Sequence, residues 1–259
     1  MTKNKTSNSK LSSQRIGIKK QSSGTAKQGV GVRSKTFVLS LGGSLLVNED
    51  GLDLKFLKSF RNFIIRQTAK DYKFYLVVGG GLTARRYIQA ALKAAPVSAR
   101  ERDWVGIKAT ALNAELVRVI FGPLAYPQVI NDPTKKLNSR GLLVIAAGYQ
   151  PGFSTDHVAV LLAKHNKLDG LINLSNIDFV YEQDPRRFPE AKKFKNLSWP
   201  EFRGLVGNRW RPGLNVPFDP VASREAQQHG LQVTVLHGKR LKNLEACLDG
   251  KDFKGTRIA

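Results

Sequence analysis

The chain has 259 residues, a mass of 28.7 kDa, a formal charge of +22 and a pI near 10.3, long enough for one large α/β domain or two small ones. No apolar run approaches the roughly 20 residues of a membrane span, and nothing at the N-terminus has the apolar core of a secretory signal. One cysteine, Cys247, allows no intramolecular disulfide and suits a reducing, cytoplasmic setting.

Residues 1–35 carry nine positive charges and no acid, set among Ser, Thr, Gln, Asn and Gly. So polar a stretch cannot bury a core, and it reads as a disordered basic tail ahead of a folded domain at 36–259. Three roles stay open for it: holding RNA or another polyanion by counterion release, solubilising the chain, or targeting it. The rest of the chain is basic too, which favours anionic ligands without naming one.

Thr36 to Leu41 is strand-like and ends at Gly42-Gly43-Ser44, where two glycines let backbone approach a phosphate. Asp53 caps an amphipathic helix with Phe56, Leu57, Phe60, Ile64 and Ile65 inward. Phe74 to Val78 is a second strand. It runs into Gly79-Gly80-Gly81 and a helix bearing Arg85 and Arg86, a second phosphate cradle. The glycines are not spaced G-x-G-x-x-G, so a dinucleotide site is disfavoured. Asp103 precedes a helix over Trp104–Val119 with Ile107, Leu112, Leu116 and Val119 inward, and reads as its N-cap or as a site carboxylate.

Gln128 to Ile130 is a short strand and residues 131–140 a polar loop. Leu142 to Ala147 is a buried strand, followed by a loop punctuated by Gly148, Pro151 and Gly152. Ser154-Thr155-Asp156 then caps a helix through Val158, Leu161 and Leu162, so unpaired N–H groups and two hydroxyls face one point. His157 is either a base there or a partly exposed helix position. Leu168 to Leu174 is a strand, Asp184-Pro185-Arg186-Arg187 a turn, and residues 200–206 a helix. Arg209-Trp210-Arg211-Pro212-Gly213 reads as a mobile basic loop. Asp219-Pro220 starts a helix, Val233 to Leu236 is a strand, Leu241 to Leu248 a helix, and Gly255 to Ile258 a last strand. The alternation predicts a three-layer αβα sandwich with a mainly parallel central sheet. The four histidines are scattered and no Cys/His cluster has metal-ligand spacing; G-x-S-x-G is absent.

The motifs together resemble a family. L-G-G-S at 41–44, V-V-G-G-G-x-x-A-R-x-Y-I at 77–88, D-x-x-G-I-x-A-T-x-L-N-A at 103–114, G-x-Q-P-G-x-S-T-D at 148–156, N-x-D-x-V-Y-x-x-D-P at 176–185 and the closing G-T-x-I resemble the amino acid kinase superfamily. The match is nearest to its uridylate kinases of the archaeal type and spans about residues 36–258. It implies transfer of the ATP γ-phosphoryl to UMP with Mg²⁺, by a homo-oligomer, a hexamer, in the cytoplasm. It also implies Gly43, Ser44, Gly81 and Arg85 at the ATP phosphates, and Ser175, Asn176, Tyr181 and Asp184 at the nucleoside end of ATP. Gly80, Asp103, Tyr149, Gln150, Pro151, Gly152, Phe153, Ser154 and Thr155 would hold UMP. Ser44, Arg85 and Asp219 are the catalytic candidates. The alternatives are a weak or inactive nucleotide-binding relative, or a sister kinase acting on another small acid or phosphate.

Two positions depart from the family. Ser40 stands where many relatives carry a lysine, removing a cation that Arg85, Arg209 or Arg211 would have to replace; Asp219 matches the acid that orients that lysine. Phe179 stands where glycine is usual. It would be strained by roughly 1–2 kcal/mol at positive φ, or would cover the adenine or shrink its pocket. Phe56, Phe60 and Phe63 are candidates for a subunit contact or for the core.

Overall fold

A computed structural model describes residues 35–135, 141–209 and 216–259. The tail and most of the 209–213 loop lie outside these residues. Lys35, read as tail, belongs to the compact unit that follows, its Nζ donating to the Lys70 carbonyl at 2.8 Å.

In chain order the elements are β1 (Thr36–Leu41), α1 (Gly43–Leu46), the small hairpin β2 (Val47–Asn48) and β3 (Gly51–Leu52), α2 (Leu54–Thr68), β4 (Lys73–Val78), α3 (Gly81–Ala94) and α4 (Ala99–Phe121). After a 3₁₀ turn at Gly122–Leu124 come β5 (Leu143–Ala146), α5 (Thr155–His165) and β6 (Gly170–Ser175). The chain continues through β7 (Val180–Tyr181), β8 (Lys193–Phe194), β9 (Asn196–Leu197), α6 (Trp199–Val206), α7 (Pro220–Gln228), β10 (Gln232–His237), α8 (Leu241–Leu248) and β11 (Thr256–Ile258).

Seven strands form one sheet in the order β5-β4-β1-β6-β10-β11-β9. β5, β4, β1, β6 and β10 are parallel, and β11 runs antiparallel to β10. Each central strand is apolar on both faces, as a sheet covered on both sides requires. Along β1, Val38 points to one core while Leu39 and Leu41 point to the other. The first core takes Phe56, Phe60, Phe63 and Ile64 of α2, Val117 and Phe121 of α4 and Leu244 of α8. The second takes Val158 and Leu162 of α5, Phe202 of α6 and Ala222 and Ala226 of α7. The predicted αβα sandwich is therefore present. Phe56, Phe60 and Phe63 are 5%, 1% and 1% exposed, so they serve the core and offer no subunit contact.

β1 lies at the centre of the five parallel strands, and the chain leaves it toward β4 on one side, whereas β6 leads to β10 on the other. A crevice opens at the carboxyl ends of strands where connections diverge in this way. The glycine loops and the start of α5 all reach this edge.

Two elements differ from expectation. The helix predicted from Trp104 starts at Ala99, capped by Ser98, whose hydroxyl accepts from the Glu101 N–H. Asp103 therefore lies inside the helix and is no cap. The buried face of α4 is Ala109, Thr110, Asn113, Ala114, Val117 and Phe121, while Leu112 and Val119 are 63% and 59% exposed. Thr110 and Asn113 face inward where the helix packs against the glycine loops, and Val117 and Phe121 where it packs against the first core. Gln128–Ile130 forms no strand: only Ala125 and Ile130 bridge to β5.

Candidate active site

A cavity of about 600 Å³ opens at this edge, lined by backbone and side chains from five segments. Gly42, Gly43 and Ser44 follow β1; Gly79, Gly80, Gly81 and Arg85 follow β4; Arg102, Asp103, Ile107 and Thr110 come from α4. Phe153, Ser154, Thr155 and Asp156 come from the start of α5, and Ser175 and Asn176 from the end of β6. A second cavity of about 190 Å³ adjoins it, sharing Ser175, Asn176 and Arg186 and adding Ile177, Tyr181 and Asp184.

The glycine loops are fitted to each other. The Gly42 N–H donates to the Leu174 carbonyl at 3.0 Å and the Gly79 N–H to the Leu41 carbonyl at 2.9 Å, so both loops are tied to the central strands. Gly81 adopts φ +56°, which any side chain would strain. From α4, Asn113 Nδ2 donates to the carbonyls of Gly79 and Gly80 at 2.9 and 3.1 Å. Thr110 Oγ1 accepts from the Gly148 N–H at 2.8 Å and donates to the Ile107 carbonyl at 2.7 Å. Asn113 thus ties the loop at 79–81 to α4, and Thr110 ties the loop that begins at Gly148. Sequence reasoning passed over both, although they stand in the A-T-x-L-N-A motif.

Asp103 Oδ2 accepts the Gly152 N–H at 2.8 Å, joining α4 to the loop before α5. That loop is braced by aromatics. Tyr149 meets Phe153 edge-on at 5.6 Å, and Phe153 stacks on His157 at 4.4 Å and 12°. His157 is 7% exposed, which corrects the reading of a partly exposed position; burial pushes its pKa below the ordinary value. It is a buried, neutral platform for Phe153, and nothing places it in the cavity lining. Ser154 is the N-cap of α5, as predicted, its hydroxyl accepting from the His157 N–H at 3.1 Å. Thr155 and Asp156, the first two residues of the helix, line the cavity, and a helix start there suits an anion.

Arg85 is exposed and lines the cavity, whereas Arg86 turns away to Glu49. Arg102, another residue missed from sequence, lines the cavity with a buried Nε that has no partner among the described residues. Asp184 pairs twice with Arg186 at 3.0 Å, which holds its carboxyl below the usual range. Gly43, Ser44, Gly80, Gly81, Arg85, Asp103, Phe153, Ser154, Thr155, Ser175 and Asn176 meet at the larger cavity, and Tyr181 and Asp184 at the smaller. Tyr149, Gln150, Pro151 and Gly152 belong to the bracing loop and not to the lining. Arg209 is exposed outside both linings, and Arg211 lies outside the described residues.

Phe179 has neither of its expected effects. The positive-φ residues other than glycine among those described are Asp71 and Lys167, so Phe179 carries no left-handed strain. Its ring is buried against Tyr181, with Lys193 Nζ 5.4 Å above it, and it lines neither cavity.

Beneath the glycine loops lie three polar side chains, Ser40 and Asp219 buried and Asp156 half-buried at the cavity wall. Ser40, 3% exposed, donates to Asp156 Oδ1 at 2.9 Å, and the Asp219 N–H donates to Asp156 Oδ2 at 3.2 Å. Asp219 caps α7 by accepting from the Ala222 N–H at 2.6 Å. Its Oδ2 is buried without a hydrogen-bond partner among the described residues, the Ser154 hydroxyl lying beside it outside hydrogen-bond geometry. Burial raises the pKa of both acids; for Asp156, burial first and the Asp219 charge second push it to about 7. Ser40 and Asp156 reach the cavity wall, with Asp219 behind them. No group of three or more His, Cys, Asp or Glu side chains among the described residues could hold a metal.

A profile of the amino acid kinase family matches residues 35–237. The chain belongs to the amino acid kinase family. Within that family it is 36% identical over 226 residues to a uridylate kinase of Methanospirillum hungatei, covering 86% of this chain and 94% of the relative. It is 39% identical over 224 residues to one of Thermococcus kodakarensis, covering 85% and 98%. The crystal structure of a uridylate kinase from Archaeoglobus fulgidus superposes with a TM-score of 0.73 at 34% identity, covering 86% of this chain and 99% of that one.

Proposed function

We propose that this protein is a UMP kinase, passing the γ-phosphoryl of ATP to the phosphate of UMP to give UDP and ADP. One observation carries the reading: two glycine loops packed backbone to backbone in the wall of a cavity of about 600 Å³, with a second of about 190 Å³ adjoining it. The family membership and the named uridylate kinase relatives point the same way.

In this reading ATP lies over Gly43, Ser44, Gly81 and Arg85, with its nucleoside along Ser175, Asn176, Tyr181 and Asp184. UMP lies against Gly80, Asp103, Arg102 and the loop from Tyr149 to Thr155. A UMP phosphate oxygen forms the new P–O bond while the bond to the β-phosphate oxygen breaks, and ADP leaves with that electron pair. The attacking oxygen is already ionised at neutral pH, so no general base is needed. What the protein supplies is alignment and neutralisation of charge, from backbone N–H groups, the α5 amides and Arg85. Mg²⁺ would enter on the ATP phosphates as part of the substrate, in keeping with the ion's preference for phosphate and water oxygens. Bound there, it would offset the charge of the phosphates.

The protein works as a homo-oligomer in the cytoplasm, and the exposed apolar residues Tyr87, Trp104 and Leu112 on α3 and α4 supply a contact in place of the α2 phenylalanines. The test of the central reading is ADP release with Mg-ATP and a panel of acceptors. UMP should exceed CMP, dTMP and AMP by about tenfold or more in kcat/KM. Equal rates with all four, or release that needs no acceptor, would refute it.

A further inference from the structure

Ser40 is the penultimate residue of β1, two residues before the first glycine loop, and its side chain lies in the cavity wall although it is almost fully buried. A hydroxyl has one hydrogen and two lone pairs. While Asp156 is ionised, that hydrogen is drawn to Asp156 Oδ1, and Ser40 presents only lone pairs to the cavity. Lone pairs facing a polyphosphate repel it.

The partners of Asp156 decide where a proton would sit. Oδ2 accepts the backbone N–H of Asp219, a donor that cannot reverse, so it must stay the carbonyl oxygen. Oδ1 faces Ser40 Oγ, which can accept as readily as it donates. A proton on Oδ1 therefore reverses that bond and frees the serine O–H to turn outward. We propose, on the basis of the kinase reading above, that Ser40 is a catalytic hydroxyl that donates to the phosphoryl group in transit. Asp156, held as the neutral acid, is the positioning residue that turns it there.

The surroundings favour the neutral acid. No Lys or Arg among the described residues pairs with Asp156 or Asp219, and the two acids lie within one hydrogen bond of each other. Ser40 is registered between Val77 of β4 and Asn173 of β6, both uncharged, and Asn173 Nδ2 is committed to the Pro217 carbonyl at 2.8 Å. From α7, besides Asp219, Glu225 pairs with Lys164 and His229, and Arg224 acts on His157. On its own helix Asp156 has buried His157 beside it. Across the cavity stand Arg85, Arg102, Asp103 and Arg186. Burial and the Asp219 charge already favour the proton on Asp156, and phosphates arriving in the cavity add like charge that favours it further.

The experiment is the pH dependence of kcat for the full chain with Mg-ATP and UMP, in wild type, Ser40→Ala, Ser40→Thr and Asp156→Asn. Because the neutral acid is the working form, wild-type kcat should fall on the alkaline side as Asp156 ionises. Ser40→Ala should lose about a hundredfold in kcat with little change in either KM, and Ser40→Thr should recover most of it. Asp156→Asn can turn its oxygen to the Asp219 N–H and its NH₂ to Ser40 Oγ, so its profile should lose the alkaline limb. Full turnover in Ser40→Ala, an unaltered limb in Asp156→Asn, or a folded but inactive Asp156→Asn would each overturn the proposal. Infrared difference spectra of wild type against Asp156→Asn give a readout independent of turnover. A carboxylic acid C=O band at neutral pH supports the proposal even if UMP proves not to be the acceptor, and its absence overturns it.

Discussion

Gly43 and Gly81 meet backbone to backbone: a Cβ built on Gly43 would lie 2.6 Å from the Gly81 Cα and 2.6 Å from the Gly79 carbonyl oxygen. Neither neighbour is a flexible side chain, so a larger residue would force the two loops apart. Gly43→Ala should therefore cost about a hundredfold in turnover, the scale expected when reacting groups are displaced by about 1 Å. Gly204→Ala, in α6 with open space around it, is the control and should leave turnover unchanged. Equal kinetics in the two variants would mean that the loops do not set the reaction geometry.

Asp103 holds Gly152 through a charge-assisted bond of the kind that contributes about 1.5–3 kcal/mol. Asp103→Ala should raise the KM for UMP by roughly tenfold to a hundredfold, while the KM for ATP stays near wild type. Asp103→Asn, which can still accept from Gly152, should fall between. A change confined to thermal stability would show that the residue serves only the helix.

Arg85 is the exposed cation beside the facing glycines. Arg85→Ala should lower kcat by about a hundredfold or more, with UMP binding by calorimetry retained. If kcat survives, the neutralising charge comes from elsewhere, and Arg102 is the next residue to test.

Asp156 gives a stability prediction of definite sign. With a folded-state pKa of about 7 against an unfolded 3.8, Asp156 holds an extra proton in the folded protein between those values, so its contribution to stability falls as pH rises across that window. Asp156→Asn should unfold at a higher temperature than wild type at pH 8, the gain shrinking toward pH 4. A variant less stable than wild type at pH 8 would show that the ionised carboxylate is the favoured form.

His157 should matter through its shape. Its pKa is depressed by burial, so it stays neutral in the folded protein near neutral pH, and its stabilising packing is lost as pH falls from the unfolded value near 6.5. His157→Phe should keep the stack under Phe153 and the UMP KM; His157→Ala should raise that KM several-fold. Loss of turnover in His157→Phe at unchanged KM would revive a role as a base.

Most strands and the caps at Asp53, Ser154 and Asp219 were legible, because alternation and short polar side chains have local causes. Most of what failed depended on distant partners. α4 was read with Leu112 and Val119 inward because apolar spacing alone assigns the face, yet the glycine loops take Thr110 and Asn113 there. Asp103 looked like a cap because the clear apolar spacing begins beside it, and the local start signal S-x-x-E at 98–101 was passed over. The roles of Thr110, Asn113 and Arg102 are long-range contacts with loops remote in sequence. Ser40 was legible as a missing lysine, but its bond to Asp156 joins residues 116 positions apart.

The most direct measurement of the central claim is phosphorus NMR of the products formed from UMP and γ-labelled Mg-ATP. The account predicts that the label appears as the β-phosphate of UDP, at a rate equal to ADP formation. Label found only in inorganic phosphate, or no conversion at saturating UMP, would contradict it.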